Sequence, residues 1–399
     1  MRFGRPGLIS DYATDIAIFR SNVARFWFAV LLVAVTVLGL GGSIPLGIMT
    51  ISLDGESLFM LTTALFASIA AIGLNIVTGV AGQVSLGHAF FLGVGAFTAA
   101  VIGGAGEVRR VFDLQTGQFV EQVMLFGLEM DMLIWLPLAG LAASLAGLIV
   151  APIAFRLRGL YLAVVTLGLV FIGEHLFREW DIISGGVGVG RPTPVMSLLG
   201  FRFDRTSEVL GITLTSSRKL FLLALVLLIV FGLAAKNLLR SKIGRALSAI
   251  RDRDIAASMM GIDLSRYKTI AFVISSFYAG ITGALIYTTI GRLLPETFNL
   301  LLSVEYIAMI LIGGVATISG SIMGAAFITF LPLIVRWLAG FPVFSFISTQ
   351  PGGGFPTVAH IEEILFGLLI VVFLIFEPLG LYGIWIRIKN YWKSWPFSY

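Results

Sequence analysis

Along most of its length the chain alternates between long apolar runs and short polar or glycine-rich interruptions. A helix that crosses a bilayer needs about 20 mainly apolar residues, within a range of roughly 17–25. By that measure the pattern predicts ten spans, at residues 24–44, 58–79, 86–104, 132–155, 160–178, 218–236, 268–290, 303–318, 320–338 and 361–385. About 25 residues precede the first run, Phe26–Leu40, and no A-x-A-like cleavage site follows it. It therefore reads as an uncleaved span rather than a signal peptide. Spans 303–318 and 320–338 stand almost end to end, with Ser319-Gly320-Ser321 as their expected hinge. Such a break is tolerated only where protein or a water-filled cavity covers it.

The charged positions orient these spans. Lys236–Lys268 holds eight basic residues (Lys236, Arg240, Lys242, Arg245, Arg251, Arg253, Arg266, Lys268) against Asp252, Asp254 and Asp263, and is expected in the cytoplasm. Arg156 and Arg158 mark another cytoplasmic turn, and the tail after Glu377 carries Arg387, Lys389 and Lys393 with no acid. Residues 105–131, with five acids and two arginines, suit the outside. Ten spans satisfy all of these with both termini inside; Arg218 and Lys219 at an outer end are the exception. The expected organisation is a cytoplasmic segment 1–25, a membrane domain 26–385 and a cytoplasmic tail 386–399. A cytoplasmic loop 240–267 and outer loops 105–131, 179–217 and 340–360 join the spans. The 179–217 stretch, with Ile183–Gly190 reading "ISGGVGVG", is expected to be a turn-rich loop.

Composition changes this picture only by excluding alternatives. With 58% hydrophobic and 12% charged residues and a mean hydropathy of +0.99, the chain cannot build a water-facing surface for 399 residues. The expected fold is an all-α polytopic membrane protein, with lipid as its main solvent. Forty-six glycines suit closely packed membrane helices. The absence of cysteine excludes disulfides and thiolate chemistry, and His88, His175 and His360 are too scattered for a zinc pattern. No metal, cofactor or nucleic acid is expected; the net charge of +5 belongs to the inter-helix loops.

Three groups of residues carry candidate chemistry. In the cytoplasmic loop, Ile243, Leu247 and Ile250 fall on one face of a helix. Asp254 is placed to cap a second short helix with a soft apolar face of Ile255, Ala256, Met259 and Met260. Gly261 fits the left-handed position that closes it, and Asp263 or Ser265 can cap the next span. Such a helix can seat in a groove on another protein or lie on anionic lipid. In "LNIVTGVAGQVSLGHAFFLGVGAF" (Leu74–Phe97), Asn75, Gln83, Ser85 and His88 bring polar groups to the junction of two spans. They mark either a polar pathway or hydrogen bonds between helices. Glu174, beside His175 and Arg178, and Glu305 are ionisable groups inside spans near their outer ends, where they serve as substrate contacts or helix anchors. Gly79-Val80-Ala81 is echoed by Gly314-Val315-Ala316, which reads as coincidence in Gly/Ala-rich sequence. The dipeptide Gly-Lys never occurs, so no Walker-type ATP site is present, and no catalytic motif suggests an enzyme.

Five separated motifs in order resemble the LivM-type permeases of branched-chain amino acid ABC importers. "GQVSLGHAFF" (Gly82–Phe91) is similar to that family's Gly-Gln-x-Ser-x-Gly-His motif, and "RLRGLYLAVVTLG" (Arg156–Gly168) to its R-x-R-G segment. Gly244–Lys268 followed by "AFVISSFYAGITGAL" (Ala271–Leu285) resembles its ATPase-coupling loop; "SVEYIAMILIGG" (Ser303–Gly314) and "EPLGLYGIW" (Glu377–Trp385) complete the set. Leu160, Ala316-Thr317 and the "SGGVGVG" loop depart from the family pattern. The resemblance implies the ABC importer permease fold in a bacterial inner membrane. It further implies a second, LivH-like permease, two cytoplasmic ATPase subunits and an external solute-binding protein as partners. The cargo would be leucine, isoleucine or valine, with urea, short amides or aromatic acids as alternatives and an ion-coupled secondary transporter as the rival of another class. On this reading Gly244, Arg245, Asp254, Ala256, Ala257, Met259, Met260 and Gly261 form the coupling surface. Ala256, Ala257 and Gly261 match the wider E-A-A-x-x-x-G pattern, with Ile255 at the Glu position. Asn75, Gln83, Ser85, His88, Glu174 and Glu305 are the expected substrate path.

Overall fold

A computed structural model of the chain describes residues 22–41, 44–46, 49–51, 55–113, 118–157, 159–209, 212–339 and 356–394. Residues 1–21 of the expected N-terminal segment, 340–355 of the expected outer loop and 395–399 of the tail lie outside them. The main helices are α1 (Asn22–Gly39), α2 (Gly55–Asn75), α3 (His88–Gly103), α4 (Met132–Arg156), α5 (Leu160–Glu179) and α6 (Ser216–Arg240). There follow α7 (Lys242–Asp252), α8 (Asp254–Met259), α9 (Leu264–Ile290), α10 (Leu300–Gly313), α11 (Ile318–Ala339), α12 (Val358–Phe376) and α13 (Gly380–Ser394).

Each of the ten predicted apolar stretches holds a helix, but ten full-length spans are not present among the described residues. Six helices are long and apolar enough to cross a membrane, and α12 with α13, bent by 46° at Glu377–Leu379, makes a seventh. The apolar part of α1, with α3 and α10, falls short. The sixteen residues of α3 rise about 24 Å, less than the roughly 30 Å hydrocarbon core. Both α3 and α10 are short because the chain leaves helical conformation at one end of each, at 81–87 and 314–317.

Helix α9 is the centre of the bundle and packs against α4, α3 and α2. Its contacts are made close by missing side chains. A methyl group added at Gly95 of α3 would strike the Gly280 backbone, and one at Gly283 would strike the Leu92 carbonyl. Van der Waals packing of this kind replaces the hydrophobic drive that lipid cannot supply. Around this centre α2 also contacts α6 and α11, while α10 and α11 form a helical hairpin covered by α12 and α13.

The end opposite the 242–263 loop carries structure that the apolar pattern did not announce. Glu107–Asp113 and Gln118–Leu125 form an antiparallel hairpin, with Val111 opposite Val120, where a loop was expected. Residues 179–217, expected to be a turn-rich loop, hold a helical turn at Asp181–Ser184 and short paired strands. Arg191 is fully buried there; it donates to the Ile183 carbonyl at 2.8 Å and the Phe126 carbonyl at 3.0 Å, and burial lowers its pKa to about 10. The exceptional Lys219 is explained by its surroundings. Its Nζ donates to the carbonyls of Arg202 (3.0 Å) and Arg205 (2.6 Å) and lies 4.7 Å from the Phe201 ring centre.

Close packing at the centre gives a paired expectation. Gly280→Ala presses a methyl group on the Ala143 side chain and the Ala139 carbonyl, so it should lower the unfolding midpoint, at a cost of about 1–3 kcal/mol. Gly232→Ala, in α6 with nothing within 4 Å of the added carbon, should be neutral or stabilising. Thermal unfolding of the two purified variants checks the contrast.

Candidate functional site

Helix α2 does not simply end. After Asn75 it widens into a π-helical turn, Ile76–Val80, in which the Ala81 N–H donates to the Ile76 carbonyl at 3.0 Å. The Gln83 N–H reaches the Val77 carbonyl, also at 3.0 Å, and Gly82 takes a φ of +68° that suits glycine. The chain then runs without regular secondary structure to Gly87 before α3 begins at His88. Burial alternates along this segment as a period of two requires: Ala81, Gln83 and Ser85 are buried, while Gly82 and Val84 are exposed. The polar side chains are the ones turned inward. Donors at the start of α3 are met by neighbours, the Ala89 N–H by Ser303 Oγ (2.9 Å) and the Leu86 N–H by Thr166 Oγ1 (2.9 Å).

A second interruption lies against the first. Helix α10 stops at Gly313, Gly314 has φ +131° and Ala316 φ +62°, and α11 begins at Ile318. The expected hinge at Ser319-Gly320-Ser321 is thus corrected: those residues are helical, and the break falls at 314–317. The reason is a tertiary partner for the freed backbone groups. Asn75 Oδ1 accepts from the Ala316 N–H at 2.8 Å, and Asn75 Nδ2 donates to the Thr317 carbonyl at 2.9 Å and to Ser321 Oγ at 2.7 Å. The two Gly-Val-Ala echoes therefore meet: a Cβ on Gly79 would collide with Asn75 Oδ1 and approach the Ala316 nitrogen to 2.5 Å.

Unlike Asn75, the other polar groups of the first interruption have few protein partners. Of nine buried side-chain polar atoms without a hydrogen bond among the described residues, four belong to residues 78–88, which singles out this segment: Thr78 Oγ1, both carboxamide atoms of Gln83, and His88 Nε2. The His88 ring bonds to the Ala70 backbone and meets the Tyr306 ring edge-on at 5.1 Å between centres. Ser85 Oγ accepts only a long bond, 3.4 Å, from the Gly87 N–H. Two cavities lie among these helices, and the interruption itself lines the second of them. One of about 440 Å³ is lined by Thr63, Leu92, Tyr287, Glu305, Tyr306 and Glu362, among others. The other, about 240 Å³, is lined by Gln83, Leu162, Ile250, Arg251, Asp254 and Lys268, with Ala81 and Gly82. Tyr306, in contact with His88, thus faces the first, and the interrupted segment itself faces the second.

The remaining sequence candidates separate. Glu305 lines the larger cavity, joined there by Glu362 and Glu363 of α12, which no sequence pattern singled out. Glu174 is paired with Arg178 one helical turn away at 2.6 Å and lines neither cavity. In the 240–267 loop, Ser241 caps α7, whose Leu247 and Ile250 are buried. Gly244 is packed against the Leu239 backbone, and Arg245 donates to the Arg240 carbonyl at 3.0 Å. Asp254 does not cap α8 as expected: Arg253 occupies the extended cap position and Asp254 is the first helical residue. Gly261 closes α8 with φ +82°; the Ile262 N–H returns to the Ala257 carbonyl and the Gly261 N–H to that of Ser258. Asp263 caps α9 through the Arg266 N–H. Ala257 is buried, while Ala256, Ile255, Met259 and Met260 are exposed, the two methionines by 85% and 84%. One contact was missed: Arg251 Nη1 donates to the Gly79 carbonyl at 3.2 Å, joining α7 to the π-turn. The amphipathic spacing places the arginines of this helix away from its apolar face, so nothing in the pattern singled Arg251 out.

Residues 57–374 match the sequence model of the family described as branched-chain amino acid transport system / permease component. Over 278 residues the chain is 31% identical to the Escherichia coli (strain K12) protein named high-affinity branched-chain amino acid transport system permease protein LivM, and the Salmonella typhimurium LivM matches equally. Each alignment covers 66% of this chain and 60% of the relative. The Pseudomonas aeruginosa permease protein BraD is 24% identical over 329 residues, covering 81% of this chain and 93% of the relative. No solved structure matches the chain.

The contrast between Asn75 and Gln83 can be measured. Asn75→Ala strands the backbone of the second interruption and should cost about 2 kcal/mol or more, seen as a lowered unfolding midpoint. Gln83→Leu removes a carboxamide without a protein partner and should leave that midpoint unchanged or raised.

Proposed function

The chain belongs to the permease-component family of branched-chain amino acid transport systems, and on that premise we propose that it is one of two permeases of an ATP-driven importer. Leucine, isoleucine or valine is delivered by an external solute-binding protein and passes along the region bordered by the two cavities. A second, LivH-like permease completes the membrane unit, and two separate ATPase subunits dock beneath it. The basic end faces the cytoplasm of a bacterial inner membrane, with both termini on that side.

The observation that carries this reading is the placement of α8. Its exposed Ile255, Met259 and Met260 form a soft apolar tip at the basic end, suited to a groove on another protein. Through α7 that tip connects to the interrupted, polar-inward segment 81–87. A binding event at one end is thereby linked to the region where a zwitterionic solute finds unpartnered donors and acceptors. Gln83, Ser85 and His88 are the path residues on this reading, with Glu305 in the larger cavity and Asn75 holding the path's wall. Glu174 anchors the end of α5. Alternation between two arrangements moves the solute, and ATP hydrolysis on the partners resets them.

Two measurements test this. In a purified complex with its partner permease and ATPases, binding protein loaded with leucine, isoleucine or valine should stimulate ATP hydrolysis. Stimulation only by urea-loaded protein would keep the architecture and overturn the cargo. Met259→Asp combined with Met260→Asp buries unpaired charge in the proposed docking groove, so the ATPase should be lost and import should fall at least about tenfold. Undiminished import with the ATPase still bound would remove the docking assignment.

A further inference from the structure

Helix α2 ends inside the protein, and the last carbonyls of a helix are those it cannot satisfy within itself. Those of Ile76 and Val77 are taken up by the following turn, whereas the Gly79 carbonyl receives Arg251 Nη1. A cation at that position also faces the negative end of the helix dipole. The backbone of Arg251 is carried by α7, whose Leu247 and Ile250 are buried, while the Arg251 side chain is 40% exposed. It is also in direct contact with the interruption: a Cβ on Gly82 would meet Arg251 Cγ at 2.8 Å and its Cα at 3.3 Å. On its other side it pairs with Asp252 at 3.2 Å, at the corner where α7 turns into α8. The same guanidinium-bearing residue and Gln83 line the 240 Å³ cavity.

We propose that Arg251 is the positioning residue that ties the coupling loop to the solute path. While its guanidinium caps the Gly79 carbonyl, segment 81–87 is held closed; displacement of the α7–α8 corner withdraws the cap and frees that segment to move. The inference rests on the reading that α8 docks an ATPase. It supplies what that reading lacks, a named contact that turns movement of the loop into movement of the path. Withdrawing the cap removes a charge-assisted hydrogen bond from the Gly79 carbonyl, so the capped arrangement is the resting one.

The chain has no cysteine, so a single thiol can report on the segment directly. Ser85→Cys is nearly isosteric at a buried position within it. In the reconstituted complex, Arg251→Met should retain the ATPase subunits and their hydrolysis while solute imported per ATP falls about tenfold, as expected for a lost charge-assisted bond. When Arg251→Met is combined with Ser85→Cys, the introduced thiol should react with a water-soluble maleimide about tenfold faster, without ATP, than in Ser85→Cys alone. Arg251→Lys, which keeps a cationic donor, should recover part of both. An unchanged import-to-hydrolysis ratio or unchanged thiol reactivity in Arg251→Met would overturn the proposal. So would loss of the ATPase from that variant, which would make Arg251 a docking residue. Failure of the unmodified chain to retain any ATPase would instead overturn the reading on which the proposal rests.

Discussion

A bilayer offers backbone amides no water, so each interruption of a membrane helix must be answered by a neighbouring group. Asn75 does this for the break between α10 and α11, from its position where α2 itself changes conformation. Its carboxamide takes one donor and meets two acceptors across more than two hundred residues of sequence. The two breaks are therefore one structural unit, and Gly79 is small because Asn75 and the Ala316 backbone occupy the space beside it. The short lengths of α3 and α10 follow from the same unit.

Around this unit the bundle is held by close approach rather than by segregation of apolar surface. Helix α9 lies against α3 and α4 through glycines whose missing side chains bring backbones into contact. Interiors so tightly fitted resist continuous deformation and favour discrete rearrangements. Against that rigid background, the segment 81–87 differs in kind: it has no regular secondary structure, its buried polar side chains have few partners, and it borders a cavity. An inward-facing polar set with unmet hydrogen bonds is what a passing polar solute can use, and what a purely structural region of a membrane protein avoids.

The two ends of the molecule contrast in their chemistry. At the basic end the short, self-closed α8 leaves Met259 and Met260 uncovered, while Leu247, Ile250 and Arg251 of the preceding α7 hold that corner to the core. At the opposite end, buried cations donate to loop carbonyls: Arg191 through Nη1 and Nη2, with its Nε left without a partner among the described residues, and Lys219 through Nζ. Burying a cation there is tolerated because the loop backbone supplies the acceptors that water otherwise would.

What the sequence by itself determined was the class of the protein and the sites of its helices, because lipid imposes a length and a polarity that apolar runs record directly. The positions of α7, α8 and the Gly261 turn were equally legible, since amphipathic spacing and a left-handed glycine are local properties. Which polar residues lock helices together and which are left without a partner was decided only by the tertiary structure. Asn75 and Gln83 look alike in sequence, yet the side chain of one finds three partners in the 314–317 break and the start of α11, and that of the other finds none among the described residues. The break at 314–317 rather than 319–321, the hairpin at 107–125 and the Arg251 contact with Gly79 likewise depend on groups far apart in the chain. Local pattern can show that a donor needs an acceptor, but only the folded arrangement of distant segments chooses which one it meets.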